Sequence, residues 1–437
     1  MEEAVILLSR EGQARILGLS LLERLILYGW KAGLKKFWLY SEEDGRARQT
    51  VEELRADRRF SPEKMELTVF CPDNERKVAA ERNASSHLLV MEDNLAVHPE
   101  FFPSLLASSR EPAADLILFN RNGSSSPEHS DCRGVFLVKR ERIGELLPPP
   151  AGLKSEYPGT GDRQEGSFST GQVTVDCPFF IRVDSPEAAR EAEKLLLETG
   201  RKPVDSYITR VFFRPISLKL TRNLINLGLT PNQISLIVLA MELVSVYLIL
   251  QGTYLKMALG GLLFQLSSIV DCCDGENARL TCRVSRFGTI FDVSADAFLF
   301  VTFFTALPLG LHRQFGDQLW LYIGAFGLLS MVAFYLQIIY YARRAGIGFH
   351  IHPIALEIEA SILDPDFQNW ADRIASKIAF IYRRDFFTTL AFVLIVLGGA
   401  GVLAVMVSGF AFLEAVYFGS WSRRQLKKKS SSQLQPA

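Results

Sequence analysis

From residue 233 to residue 420 the chain is dominated by apolar runs of membrane-spanning length, and these runs dictate an all-α domain. A backbone in hydrocarbon must satisfy its own hydrogen bonds, and runs of about 20 apolar residues do so as helices. The runs fall at residues 233–251, 256–273, 288–310, 318–341, 386–400 and 402–419. The last two are short and are parted only by "GGAG" at 398–401, so a count of six rests on a break there. Charge placement supplies an independent check. With six spans, Arg279, Arg283 and Arg286, then Arg343, Arg344, Arg383 and Arg384, then "SRRQLKKK" at 422–429 share one side. The positive-inside rule makes that side cytoplasmic, together with both termini. The expectation is a multi-pass protein of the plasma membrane, in contact with its lipids. No charged side chain other than the aspartates discussed below is expected to be buried in the spans.

Residues 1–200 read differently. Over the whole 437-residue chain Lys plus Arg equal Asp plus Glu at 48 each, so net charge points to no nucleic acid partner. "AVILLS" (4–9), "KKFWLY" (35–40), "MELTVF" (65–70), "HLLVME" (87–92) and "ADLILF" (114–119) have strand character. "LSLLERLILYGWKAGL" (19–34) and "VDSPEAAREAEKLLLETG" (183–200) have helical periodicity. In the second, Ser185 is an N-cap before Pro186 and Gly200 a C-terminal stop. Such alternation predicts a three-layer, Rossmann-like α/β domain with a mostly parallel sheet. Residues 149–171, rich in Pro, Gly and Ser, read as a loop. Residues 201–232 form a junction in which 204–229 mixes Arg and Lys with apolar residues, as an interfacial helix does. Residues 422–437 read as a basic, disordered tail. The acidic, short-run N-terminus has no secretory signal character, and the six cysteines show neither a disulfide framework nor metal-finger spacing.

Four aspartates stand within the otherwise largely apolar stretch 267–298. Asp271 and Asp274 are three apart and share a helix face; Asp292 and Asp296 are four apart and do the same. Gly288 and Ala278 leave space beside them. Four converging carboxylates require a cation, and hard oxygen ligands favour Mg²⁺ or Mn²⁺, with room for two ions. Paired divalent ions beside a membrane suggest phosphate chemistry, with one carboxylate free to act as general base. The bland alternative is solvated loop carboxylates paired with Arg279, Arg283 and Arg286. Ionisable groups in spanning segments are nonetheless functional as a rule.

The run Asp271-x2-Asp274-Gly275-x2-Ala278-Arg279-x8-Gly288-x3-Asp292-x3-Asp296 resembles, at every fixed position, the signature of the CDP-alcohol phosphotransferases. The resemblance covers residues 205–425, including "LTPNQIS" (229–235) before the first span. It implies six transmembrane helices and two metal ions held by the four aspartates. It also implies a CDP-linked alcohol along Asp274, Gly275, Ala278, Arg279 and Gly288, with Asp296 as general base. The implied reaction is attack of an acceptor hydroxyl on the β-phosphorus with release of CMP. A homodimer is a further implication. Arg383 and Arg384 are candidates to grip a phosphate of acceptor or donor. His350 and His352 lack a third ligand nearby, and Cys272 and Cys273 occupy variable motif positions. Gln265, Ser267 and Ser268 are expected to bond neighbouring helices.

The front domain resembles a sugar-nucleotide nucleotidyltransferase. "LLVMEDNLAV" (88–97) would place Asp93 at one metal position and "IRVDSPEAAREAEKLL" (181–196) Asp184 at the second. The domain order is similar to that of the bifunctional inositol-1-phosphate cytidylyltransferase/di-myo-inositol phosphate phosphate synthase proteins. This implies CDP-inositol as donor and an inositol phosphate as acceptor. Phosphatidyl transfer from CDP-diacylglycerol to a lipid precursor, and a non-catalytic membrane scaffold, are the alternatives. One departure matters. "LLSREGQARILG" (7–18) offers Gly12 and Gly18 but no clustered glycines to cradle a triphosphate, and Leu19 stands where the family has lysine. Arg10 and Arg15 are the nearby cations. The front domain is therefore expected to keep the fold without the chemistry.

Overall fold

The computed structural model describes residues 3–9, 13–41, 44–61, 63, 65–70, 87–108, 114–121, 131–143, 170–202, 205–284, 286–345 and 384–432. The chain divides into two compact units. The first is Met1–Lys202 with Arg222–Gly228 and Asn277–Arg283; the second is Pro203–Thr221, Leu229–Glu276 and Val284–Ala437. The front domain thus ends close to residue 200, and it takes in two short pieces of later sequence.

The first unit holds a seven-stranded sheet in the order β10-β8-β9-β6-β1-β4-β5. Its strands are β1 (Glu3–Leu7), β4 (Lys36–Tyr40), β5 (Glu66–Phe70), β6 (His87–Glu92), β8 (Leu116–Arg121), β9 (Asp131–Lys139) and β10 (Thr170–Val175). The pairs β1–β4, β4–β5, β1–β6 and β8–β10 are parallel; β9 alone runs antiparallel, between β6 and β8. Ala4, Val5 and Ile6 are fully buried, as a strand covered on both faces must be. Helices α1 (Leu21–Lys31), α2 (Asp44–Ala56), α3 (Phe101–Ser108) and α4 (Pro186–Glu198) accompany the sheet. Two small ladders complete it, β2 (Arg15–Ile16) with β3 (Leu19–Ser20) and β7 (Leu95–Val97) with β11 (Phe180–Arg182).

Local chemistry sets these boundaries. The first helix begins at Leu21 because Ser20 and Glu23 form a reciprocal capping box, each satisfying the other's backbone N–H. Leu17 (φ 51°) and Gly18 (φ 75°) turn the β2–β3 hairpin with both central residues at positive φ, the handedness a two-residue hairpin prefers. Ser185 caps α4 through the Ala188 N–H with Pro186 in the first turn, as the sequence predicts. A hydrophobic cluster of Ile16, Leu17, Leu21, Ala96, Val183 and Leu196 also includes Ile225 and Leu280, so the two later pieces belong to this unit's packing. Arg24, 1% exposed, donates to the carbonyls of Leu280 and Ile16, both at 2.9 Å.

The second unit is helical. A wide π turn at Thr209–Phe213 leads into α5 (Arg214–Asn226), whose last residues lie in the first unit. Then follow α6 (Pro231–Leu250), α7 (Tyr254–Leu280), α8 (Arg286–Phe315), α9 (Leu319–Ala345), α10 (Arg384–Val396) and α11 (Ala400–Ser432). Among the described residues four helices, α6, α7, α9 and α11, are long and apolar enough to cross a membrane. Helix α8 occupies the expected third span. Helix α10 has 13 described residues, or about 20 Å, against a hydrocarbon core of about 30 Å. The chain breaks at Gly398 (φ 77°), between α10 and α11. Leu236, Ile237, Leu243, Val244 and Tyr247 of α6 are exposed, an apolar outer face suited to lipid. Phe264 stacks on Phe303 at 5.0 Å and Phe387 meets both edge-on inside the bundle.

Two expectations change here. The tail expected to be disordered from 422 is helical to Ser432. Residues 422–432 contain no Gly or Pro, and extending an existing helix with Arg, Gln, Leu and Lys carries no nucleation cost. The junction helix is amphipathic, but inside out. Arg214, Ser217 and Thr221 are buried while Tyr207, Val211, Phe212 and Ile216 are exposed. An apolar outer face with polar groups turned inward suits an interface with lipid.

Replacing Arg24 by methionine leaves two buried carbonyls unpaired, at a cost of about 1–3 kcal/mol each. Thermal melts of the full-length R24M protein in detergent are expected to show a clearly lowered first transition; an unchanged melt contradicts this account.

Candidate active site

Asp271 and Asp274 lie one turn apart on α7, both partly exposed. Asp274 Oδ2 accepts a hydrogen bond from Ser235 Oγ at 2.6 Å. Asp271 Oδ1 lies 3.0 Å from Arg384 Nη1 at the start of α10. The same guanidinium reaches the other way: its Nη2 lies 2.5 Å from Oε1 of Glu242, which is 2% exposed. Ser235 and Glu242 are seven residues apart on α6 and therefore share a face. Gly275 and Ala278 continue α7 beyond the carboxylates without bulk. On α8, Gly288 precedes Asp292 and Asp296, which share a helix face; their side chains lie outside the described residues, as do Arg383, His350 and His352. Among the described residues no group of three or more potential ligands gathers around one point.

The donor chemistry suits a hard divalent ion: carboxylate oxygens at i and i+3, a hydroxyl beside one of them, and small residues alongside. The structure itself seats a cation against Asp271, the guanidinium of Arg384. This face of α7 is therefore built to meet positive charge.

A second polar network lies under the motif. Glu276, fully buried, accepts from Arg214 Nη1, from Ser217 Oγ at 2.6 Å and from Thr221 Oγ1 at 2.6 Å. Arg214 also grips Asp205 with Nε at 2.6 Å and Nη2 at 2.8 Å. Burial works against its charge, but the hydrogen bonds to Asp205 and Glu276 outweigh that and hold its pKa above the ordinary value. Asp385, also buried, accepts from Ser206 Oγ and from Thr209 Oγ1 at 2.7 Å. The expectation of no further buried charge in the spans is thus overturned by Glu242 in the first, while Glu276 and Asp385 are buried just outside the second and fifth. Glu242 was visible as the lone charge in "PNQISLIVLAMELVSVYLIL"; its partner, 142 residues away, was not. Ser267 bonds back to Phe264 O on its own helix rather than across to a neighbour.

Residues 228–356 match the family model described as CDP-alcohol phosphatidyltransferase, a range that holds all eight motif positions. This stretch of the chain is thus similar to that family. The chain is 32% identical over 150 residues to the "Bifunctional IPC transferase and DIPP synthase" of Aquifex aeolicus, covering 34% of each chain. A protein of the same name from Thermococcus kodakarensis is 30% identical over 181 residues, 39% of this chain and 40% of that one. The match thus spans two fifths or less of these relatives' own length. Among solved structures, the inositol-1-phosphate CTP transferase from T. maritima aligns with 44% of this chain and 95% of its own, at 13% identity and a TM-score of 0.29.

Within the matched range, the motif residues Asp271, Asp274 and Gly275 belong to the second unit, while Ala278 and Arg279 belong to the first. There Arg279, expected along the CDP, donates to Gly200 O from Nε at 3.0 Å and from Nη2 at 2.5 Å. The helix ends just beyond, with Arg283 N–H bonded to Ala278 O and Cys282 at φ 55°, where glycine is usual.

The front unit aligns its two candidate metal carboxylates. β11 pairs with β7 so that Arg182 faces Leu95 and Val183 N–H reaches Asn94 O, which brings the segments that carry Asp184 and Asp93 side by side. Each is engaged by protein groups. Asp93, 1% exposed, accepts from Ser9 N–H at 2.9 Å and Ser9 Oγ at 2.5 Å. Asp184 accepts from Asn94 Nδ2 at 2.7 Å and Arg182 Nε at 3.1 Å. Leu19 is fully buried in the main core cluster, so the position expected to hold a lysine is part of the packing. Arg10 and Gly12 lie outside the described residues.

Burial pushes the Asp93 carboxyl up to about 7, against the Ser9 hydrogen bonds and nearby Arg46, which lower it. Its ordinary value is near 3.8, so between about pH 4 and 7 the folded state holds a proton the unfolded state has lost. Stability of the front unit should therefore fall as pH rises through that window and level off above it. Asp93→Asn is expected to flatten this slope in melts of the full-length protein between pH 5 and 8; an unchanged slope contradicts the assignment.

Proposed function

We propose that this protein is an integral-membrane CDP-alcohol phosphotransferase that joins CDP-inositol to an inositol phosphate. The observation that carries the reading is the pair Asp271 and Asp274, set on one face of α7 within the matched range and meeting a cation there. The names of the relatives, bifunctional IPC transferase and DIPP synthase, favour the inositol-linked substrates over CDP-diacylglycerol.

In this reading Asp271, Asp274, Asp292 and Asp296 hold two Mg²⁺ or Mn²⁺ ions, which neutralise the pyrophosphate and polarise its phosphorus. The donor lies along Asp274, Gly275, Ala278, Arg279 and Gly288, which requires Arg279 to exchange Gly200 O for the ligand. Asp296 takes the proton of the acceptor hydroxyl as its oxygen attacks the β-phosphorus, and CMP departs with the electrons of the broken P–O bond. Arg384, with Arg383, supplies guanidinium groups for a phosphate. The chain crosses the plasma membrane six times with both termini cytoplasmic and works as a homodimer. The front unit contributes its fold and no cytidylyl transfer, a reading that the buried Leu19 and the Ser9-bonded Asp93 support.

Full-length protein given Mg²⁺, CDP-inositol and inositol 1-phosphate is expected to release CMP, and CDP-diacylglycerol to be a far poorer donor. Asp296→Asn should lower that rate by about 100-fold or more, the usual weight of a general base. An Asn variant as active as the parent, or no CMP from any CDP-alcohol, overturns the reading.

A further inference from the structure

Glu242 has no place in the family signature, yet it is the charge in the first span, 2% exposed at membrane depth. A carboxylate there is costly unless it is paired. Its partner Arg384 is shared: Nη2 lies 2.5 Å from Glu242 and Nη1 3.0 Å from the motif residue Asp271. The side chains of Arg384 and Asp271 are 18% and 23% exposed, so the outer half of this chain of charges is open to exchange while the inner half is sealed.

The charge count gives the consequence. Within this trio Glu242 offsets the charge of Arg384, so Asp271 is not its sole counter-charge. Without Glu242 the guanidinium would have Asp271 as its counter-charge in this trio, and any other cation at Asp271 would have to displace it without compensation. We propose that Glu242 is a positioning residue that holds Arg384 back from the metal site, so that Asp271 can exchange a guanidinium for a divalent ion. This rests on the reading of Asp271 as a metal ligand. When the exchange happens, Arg384 stays anchored on Glu242, with Nη1 released toward the same space. A positive group fixed beside the metal site, but no longer spent on it, would face an incoming phosphate.

The test is Mn²⁺ binding by the purified full-length protein without substrate, followed by the paramagnetic resonance of free Mn²⁺. Glu242→Gln is expected to weaken binding about tenfold, because Arg384 then keeps Asp271 as its counter-charge in this trio and is harder to displace. The double variant E242Q/R384Q, which also removes the competing guanidinium, should recover the wild-type affinity or exceed it. A merely structural role for Glu242 would not be rescued by a second substitution, so a double variant as weak as the single one overturns the proposal. Wild-type affinity in E242Q alone overturns it too and leaves the metal reading standing. Absence of Mn²⁺ binding by the wild-type protein overturns the metal reading itself. Should E242Q fail to fold, the double variant decides: wild-type affinity supports the proposal and lost binding refutes it.

Discussion

Pairing of buried charge is the constraint on which the helical unit depends. In lipid, apolar helices gain little from meeting one another, because the tails around them are as apolar as leucine. Their positions are therefore set by the few groups that cannot face lipid. Arg214 with Glu276 ties α5 to α7, Arg384 with Glu242 ties α10 to α6, and Asp385 with Thr209 ties α10 to the turn before α5. Breaking a buried pair by removing one partner costs about 3–5 kcal/mol, whereas exposed pairs are worth about 0–1. Two of these ties are ion pairs, and each outweighs an isolated surface pair.

The same ties connect stability to chemistry. Glu276 lies between Gly275 and Ala278, so the network that fixes the rotation of α7 also fixes where Asp271 and Asp274 point. Arg214, Ser217 and Thr221 follow one another at i, i+3 and i+7, one polar stripe facing one buried carboxylate. The inside-out junction helix is thus a clasp on the motif as well as a float at the interface.

Legibility in the sequence was uneven, for physical reasons. Apolar runs, the Thr230–Pro231 and Ser185–Pro186 helix starts and the motif spacing are local signals, and the structure puts helices at those places. The buried ties were not legible. A glutamate alone in a span announces a partner but carries no address for it, and Arg384 is one of several arginines at span ends. Strand β9 was hidden for another reason. It is the reversed strand, and the polar opening of "DCRGVFLVK" leaves an apolar run of only four residues, Val135–Val138, to mark its nine. The tail misled because basic composition was read as disorder, although its residues are good helix formers attached to a helix.

Helix α11 has a mechanical consequence. At 33 residues it is about 50 Å long, well beyond the hydrocarbon thickness of about 30 Å. Its last turns must therefore project past the lipid tails as a stiff rod, with Trp421 buried near its base and Arg423 and Lys427 on the outside. Cations on a rod keep fixed heights above the bilayer, where those of a loose chain would sample every height. Their attraction to anionic headgroups then varies with the tilt of this one helix. A change in membrane charge would act on the bundle as torque.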